Sequence, residues 1–202
     1  MLTLCHSPQS RSTRPRWLLE ELGVPYEVKL VRLDAGEQKA PGYLKLNPNG
    51  TVPTLVDGDL VLWESAAICE YLADKYADKG FAPTVGTPER GKYYQWIHYA
   101  MSAIEPPLLT IFLHSIRLPE AERVPQLVDA ARERLDAALA VVNDALAGRE
   151  WMLGSQFTVA DVMIGSTLSW AQRMGIIGDA HPNTQAYVAR CMARPAMQRA
   201  NE

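Results

Sequence analysis

The sequence predicts an α/β domain followed by an all-helical one, and three observations carry that prediction. Up to about residue 79, short apolar runs alternate with helical faces in the order strand, helix, strand, short helix, strand, strand, helix. That is a βαβ unit followed by a ββα unit, the path of a single sheet with helices on its faces. A stretch rich in Gly and Pro, residues 80–88, then breaks every periodicity. Beyond it no strand pattern recurs, and helical spacing in Ala and Leu continues, as in a helical bundle. The expected division is therefore 1–79, a linker over 80–88, and 89–202.

Each element has its own justification. Leu2 to Cys5 reads as a strand, and His6-Ser7-Pro8-Gln9-Ser10 as a loop. Trp17, Leu18, Leu19 and Leu22 form one apolar helix face, which Gly23 stops. Pro15 is tolerated only in a first helical turn, so that helix begins near Ser12 to Arg14. Tyr26 to Val31 is a second strand, and a loose helix is expected near Tyr43 to Leu46. Thr54 to Val56 and Leu60 to Leu62 are joined by Asp57-Gly58-Asp59, a tight-hairpin signal. Ile68, Tyr71 and Leu72 then have helical spacing. This first half follows a thioredoxin-like plan. In the second half, a helix over Glu89 to Ser115 is expected to kink or split at Pro106-Pro107. Glu120 to Leu146 carries an apolar stripe of Leu127, Leu135, Leu139, Val142 and Leu146. Two more helices follow, over Phe157 to Arg173 and Pro182 to Met192. Thr158-Val159-Ala160-Asp161 has the hydroxyl-to-acid spacing of a capping box, with Phe157 placed to act as a staple.

Composition excludes several classes. The chain has 202 residues, 48% of them hydrophobic, and a net charge of −3 with acids and bases interspersed. No basic stripe points to nucleic acid, and no apolar run reaches membrane-spanning length. Met1 to Cys5 enters a strand directly, without the regions of a signal peptide, so the cytoplasm is the expected location. Cys5, Cys69 and Cys191 are far apart, so neither a zinc site nor a dithiol motif is indicated, and no metal is expected.

The stretch with the most chemistry runs from Asn47 to Tyr71. Pro53 cannot donate to a sheet, so it belongs just before a strand, and it is a candidate for the cis isomer. Val52 would then offer its free N–H and C=O to an extended peptide. Ser65 and the free N–H groups of a helix start suit a carboxylate, and Glu64 suits an ammonium. A ligand with an amine and a carboxylate at one end and a peptide-like middle fits these groups.

The segment resembles the second half of the glutathione-binding domain of the cytosolic glutathione transferases, in which a Val-Pro step precedes a Glu-Ser or Asp-Ser pair. Val52, Pro53, Glu64 and Ser65 stand at those positions. The resemblance extends over almost the whole chain, through the first loop, the linker, the Trp-containing helix and the string Gly154 to Asp161. It is similar to bacterial beta-like enzymes and to relatives with a Ser-rich first loop. It implies the glutathione transferase fold, glutathione as co-substrate, and attack of its thiolate on a small electrophile. It also implies a homodimer, a role in detoxification, and a structural role for Thr158 and Asp161. The runner-up functions are glutathione-dependent disulfide or peroxide reduction, and a non-catalytic glutathione-binding module.

Such chemistry needs a donor beside the sulfur, and the loop Ser7 to Arg14 holds no Tyr. The Cys of the beta class would fall at Arg11, where it is absent. The candidates are Ser10 and Ser12, with Ser7 or a backbone N–H behind them; Ser12 is better placed to cap the first helix. Arg11 would add positive potential or be solvated. For the glycine carboxylate the resemblance points to the loop with Gln38 and Lys39, and Thr51 is within reach of the peptide. For the electrophile, expected between the domains, the candidates are Tyr99, Ser102, Ile104, Pro106, Leu109 and Trp170. Ser102 or Glu105 would contact the glutathione of a partner subunit, and His98 is read as a packed or surface residue.

Overall fold

The computed structural model describes residues 1–201, and the chain divides into two compact units. The first comprises residues 1–82 together with 193–202, and the second residues 83–192.

The first unit is built on a four-stranded sheet in the order β2-β1-β3-β4. Its strands are β1 (Leu2–His6), β2 (Tyr26–Leu30), β3 (Thr54–Asp57) and β4 (Leu60–Trp63). β1 runs parallel to β2 and antiparallel to β3, and β3 and β4 form the expected hairpin. α1 (Thr13–Leu22) starts with Pro15 in its first turn, where no N–H is needed, and Gly23 ends it at φ 63°. Its Trp17, Leu18 and Leu19 are fully buried and it packs on α3 (Ser65–Lys75), which buries Ile68, Cys69 and Leu72. On a second, smaller cluster, Cys5, Val31 and Tyr43 of α2 (Pro41–Leu44) pack with Val52.

In the second unit α4 (Pro88–Tyr99) continues through a π-helical turn, Ala100–Ile104, into α5 (Glu105–Phe112) and a second π turn, Leu113–Arg117. Pro106-Pro107 was expected to kink or split this helix. Instead the helix widens: the two prolines lack the N–H groups that would meet the Ser102 and Ala103 carbonyls, and Glu105 N–H bonds back to Ala100 O. α6 (Pro125–Ala145) begins later than the apolar stripe suggests, so Leu127 lies 47% exposed while Leu135, Leu139 and Val142 are buried. α7 (Val159–Arg173) is buried on nearly all sides and starts with the expected capping box, in which Thr158 N–H donates to Asp161 Oδ2 at 2.9 Å. Asp161 Oδ1 also accepts from Met152 N–H and from Tyr187 of α8 (Pro182–Ala193).

The division differs from the expected 89–202 at its end. α9 (Pro195–Ala200) belongs with the first unit and lies on α1. Arg194 donates twice to Glu21, at 2.5 and 2.8 Å, and Arg199 donates to Glu20 at 2.6 Å.

Candidate functional site

Three segments leave the sheet at the same end. β1 ends at His6, β3 begins with Thr54 opposite Cys5, and β4 ends at Trp63 opposite Thr54. The register therefore brings the Ser7–Ser12 loop, Val52-Pro53 and Glu64-Ser65 out together.

The Val52–Pro53 peptide is cis. Neither the N–H nor the C=O of Val52 is bonded within the described residues, so both remain for a ligand. The turn behind it is fixed: the Thr51 carbonyl accepts from Tyr43 Oη at 2.7 Å and from Asn47 Nδ2 at 2.9 Å. Thr51 is thereby an anchor, its carbonyl already occupied.

Glu64 is a non-glycine residue at φ 75°, a strained conformation that asks for a functional reason. Its side chain is exposed. Behind it α3 opens with the N–H groups of Ser65, Ala66 and Ala67 unbonded, the positive end of the helix dipole. Ser65 is buried and its Oγ accepts from Arg14 Nη1 at 3.1 Å. Arg14 offers only donors, so the Ser65 hydroxyl hydrogen is not used in this contact.

Lys39 reaches back over the turn, and its Nζ donates to the Asn49 carbonyl at 3.1 Å. This path exists because residue 50 is Gly: a Cβ there would stand 2.7 Å from Lys39 Nζ and 2.8 Å from its Cδ. Gln38 is half-buried, and its Oε1 is a buried acceptor with no partner.

The first loop separates Ser10 from Ser12. Ser12 is fully buried and does not cap α1 with its side chain, contrary to expectation. Its Oγ instead lies 3.0 Å from Ser7 N, 3.0 Å from Ser7 O and 2.8 Å from His6 Nδ1. These contacts draw the hydroxyl back beneath the loop. Ser10 is half-buried; its Oγ is 2.7 Å from Ser12 Oγ and donates to Ser7 O at 2.7 Å. Arg11 is exposed beside it. His6 is wholly buried, with Nε2 3.2 Å from Arg16 Nη1. Burial first, and then the Arg16 charge, push its imidazole from the ordinary 6.5 down to about 4, so the ring is neutral.

Sequence reasoning passed over His6, Arg14 and Arg16. The available signal was a pair of cations set among the buried positions of an apolar helix, since Arg14 is only 3% exposed. The second unit carries Tyr99, Ser102 and Glu105. Tyr99 is half-buried, its ring edge-on to Trp96 and its phenol pKa raised by burial. Ser102 is exposed and donates to His98 O at 2.8 Å, whereas Glu105 is buried. Ile104 is fully buried in the core, Trp170 packs edge-on to Phe112, and His98 is on the surface as expected.

Comparison with known proteins covers both units. The family profile described as "Glutathione S-transferase, N-terminal domain" matches residues 1–74, and "Glutathione S-transferase, C-terminal domain" matches residues 98–195. The glutathione S-transferase GstB of Escherichia coli K12 is 32% identical over 203 aligned residues, covering 98% of this chain and 97% of that protein. A theta class glutathione S-transferase from Xanthomonas axonopodis pv. citri, solved with glutathione bound, superposes with a TM-score of 0.87 at 36% identity, covering 98% and 96% of the two chains. The glutathione transferase URE2P6 of Phanerochaete chrysosporium, solved with oxidized glutathione, gives 0.86 at 31% identity, covering 98% and 94%.

Proposed function

Since the chain belongs to the glutathione S-transferase family, matched along both of its units, we infer that it is a glutathione transferase and that the end of the sheet just described holds the tripeptide. In this reading Glu64 meets the α-ammonium of the γ-glutamyl group. Ser65 and the free N–H groups of α3 meet its carboxylate. The Val52 backbone pairs with the cysteinyl part, and Gln38 and Lys39 reach the glycine carboxylate. Ser10 stands at the sulfur. What supports this most is the convergence of Val52-Pro53, Glu64-Ser65 and the Ser10 loop at one end of the sheet.

The chemistry follows from the thiol. A free thiol titrates at about 8.5, and bringing it two units lower requires roughly 3 kcal/mol of preference for the thiolate. One hydrogen bond to a charged group contributes about 1.5–3 kcal/mol, and a helix N-terminus adds a few tenths to about 2. A Ser10 hydroxyl aimed at the sulfur is therefore of sufficient size without metal or base. The thiol proton leaves to solvent, a sulfur lone pair forms the new carbon–sulfur bond, and the leaving group departs with its electron pair. The remaining acceleration comes from positioning.

The electrophile is proposed to meet the Tyr99 and Ser102 side of the helical unit, with Glu105 behind it. The family resemblance supports a homodimer acting in the cytoplasm, and Leu60 and Trp63 leave exposed apolar surface on edge strand β4. No helix among the described residues is long and apolar enough to cross a membrane. A second reading, glutathione-dependent disulfide reduction, is favoured by one observation: three solved relatives hold oxidized glutathione or glutathione disulfide. Calorimetric titration with glutathione, alongside conjugation and disulfide-reduction assays, separates the readings. Absence of glutathione binding would sink both.

A further inference from the structure

The hydroxyls of the first loop form a chain whose direction is set by a half-buried cation, Arg16. A guanidinium has only donors, so Arg16 Nη1 donates to His6 Nε2, 3.2 Å away. The neutral ring must then carry its hydrogen on Nδ1, which donates to Ser12 Oγ at 2.8 Å. Ser12 Oγ also accepts from Ser7 N–H at 3.0 Å, so both its lone pairs are filled. Ser12 can therefore only give, and of the two acceptors its hydrogen reaches, the Ser7 carbonyl at 3.0 Å and Ser10 Oγ at 2.7 Å, the nearer is Ser10, whose contact has no other hydrogen to fill it. Ser10 Oγ receives that hydrogen and the Ser12 N–H, at 3.2 Å, which fills its lone pairs in turn. What Ser10 has left is its own hydrogen, resting on the Ser7 carbonyl at 2.7 Å. His6 and Ser12 are fully buried; Ser10 is the member of the chain that is half-open.

We propose that His6 is a positioning residue for the transferase reaction, acting through Ser12 to leave Ser10 as an obligate donor toward the glutathione sulfur. This rests on the reading of Ser10 as the thiolate donor. A group that can only donate favours the thiolate, an acceptor, over the thiol, which would itself offer a hydrogen. Turning the Ser10 hydrogen from the Ser7 carbonyl to the sulfur requires one bond rotation. The proton inventory of the loop stays unchanged.

The test follows the absorbance of the bound thiolate against pH in the wild type and in Ser10→Ala, Ser12→Ala, His6→Phe and His6→Asn, with kcat and KM for glutathione. Asn retains an N–H near the place of Nδ1; Phe does not. The expected result is a raised thiol pKa in Ser10→Ala, Ser12→Ala and His6→Phe. kcat at neutral pH should fall with the thiolate fraction, about threefold for the first pH unit by which the thiol titration moves up and approaching tenfold for the next, with KM changed by less than about threefold. His6→Asn should recover most of the loss. If Ser10→Ala raises the thiol pKa while Ser12→Ala and His6→Phe do not, the role of His6 is overturned and Ser10 stands. If Ser10→Ala leaves the pKa unchanged, both fall. A measurement free of folding defects uses the wild type: imidazole ¹⁵N resonances should show His6 as the Nδ1–H tautomer, and the Nε2–H form would overturn the chain.

Discussion

Gly50 sets how Lys39 lies. Its buried position and φ of 58° favour glycine, and its bare Cα lets the Lys39 stem cross within van der Waals range. Gly50→Ala should displace the ammonium and raise KM for glutathione roughly tenfold, an effect of about 1.4 kcal/mol, with kcat little changed. Steady-state kinetics with glutathione as the varied substrate would check it. At His6 the expectation concerns pH. Its folded-state pKa lies at about 4, below the ordinary 6.5, so its neutral form contributes stability that is fully present above 6.5 and lost as pH falls through about 4. The melting temperature of the wild type should therefore fall more steeply over that window than that of His6→Asn. The cis step after Val52 and the helix start at Glu64-Ser65 were legible because both are local features, a dipeptide and a helix end. Arg14 was not, because its partner Ser65 is 51 residues away. Ser12 misled for the same reason: a hydroxyl before a helix reads as a cap, but His6 and Ser7 claim it first.

At the scale of elements, the start of α7 has the most concentrated polar satisfaction in the helical unit. Burial raises Asp161 to about 6 even though Met152, Thr158 and Tyr187 all donate to it. Desolvation thus outweighs its hydrogen bonds, and its contribution to stability is lost as pH rises through about 6. Thr158→Ala should cost about 1–2 kcal/mol, read as a lower urea midpoint at unchanged slope. The capping string was visible in sequence because its partners are three residues apart. The π turn was not, because proline announces a missing donor without saying whether the helix will bend or widen. Leu127 illustrates a related limit: helical spacing assigns a face, but α6 begins only at Pro125, and its first turn is not covered.

At the scale of the molecule, the order of the two units was legible and the fate of the final helix was not. The contacts that decide it, Arg194 with Glu21 and Arg199 with Glu20, span 173 and 179 residues. They differ in worth. Glu21 is nearly buried and takes two bonds from Arg194, whereas the Arg199 side chain is about half exposed. A double-mutant cycle should give about 1.5–3 kcal/mol for the first pair and under about 1 for the second. Equal coupling energies would contradict this ranking.

The return of α9 to α1 also has a consequence for biosynthesis. The helical unit is one uninterrupted span, 83–192, while the sheet-bearing unit is assembled from two separated ones. On the ribosome the helical unit has all its residues before α9 emerges, so it can complete its fold while α1 still lacks its cover. The sheet-bearing half is translated first and finished last, and in that interval the face of α1 that α9 covers is open to chaperones.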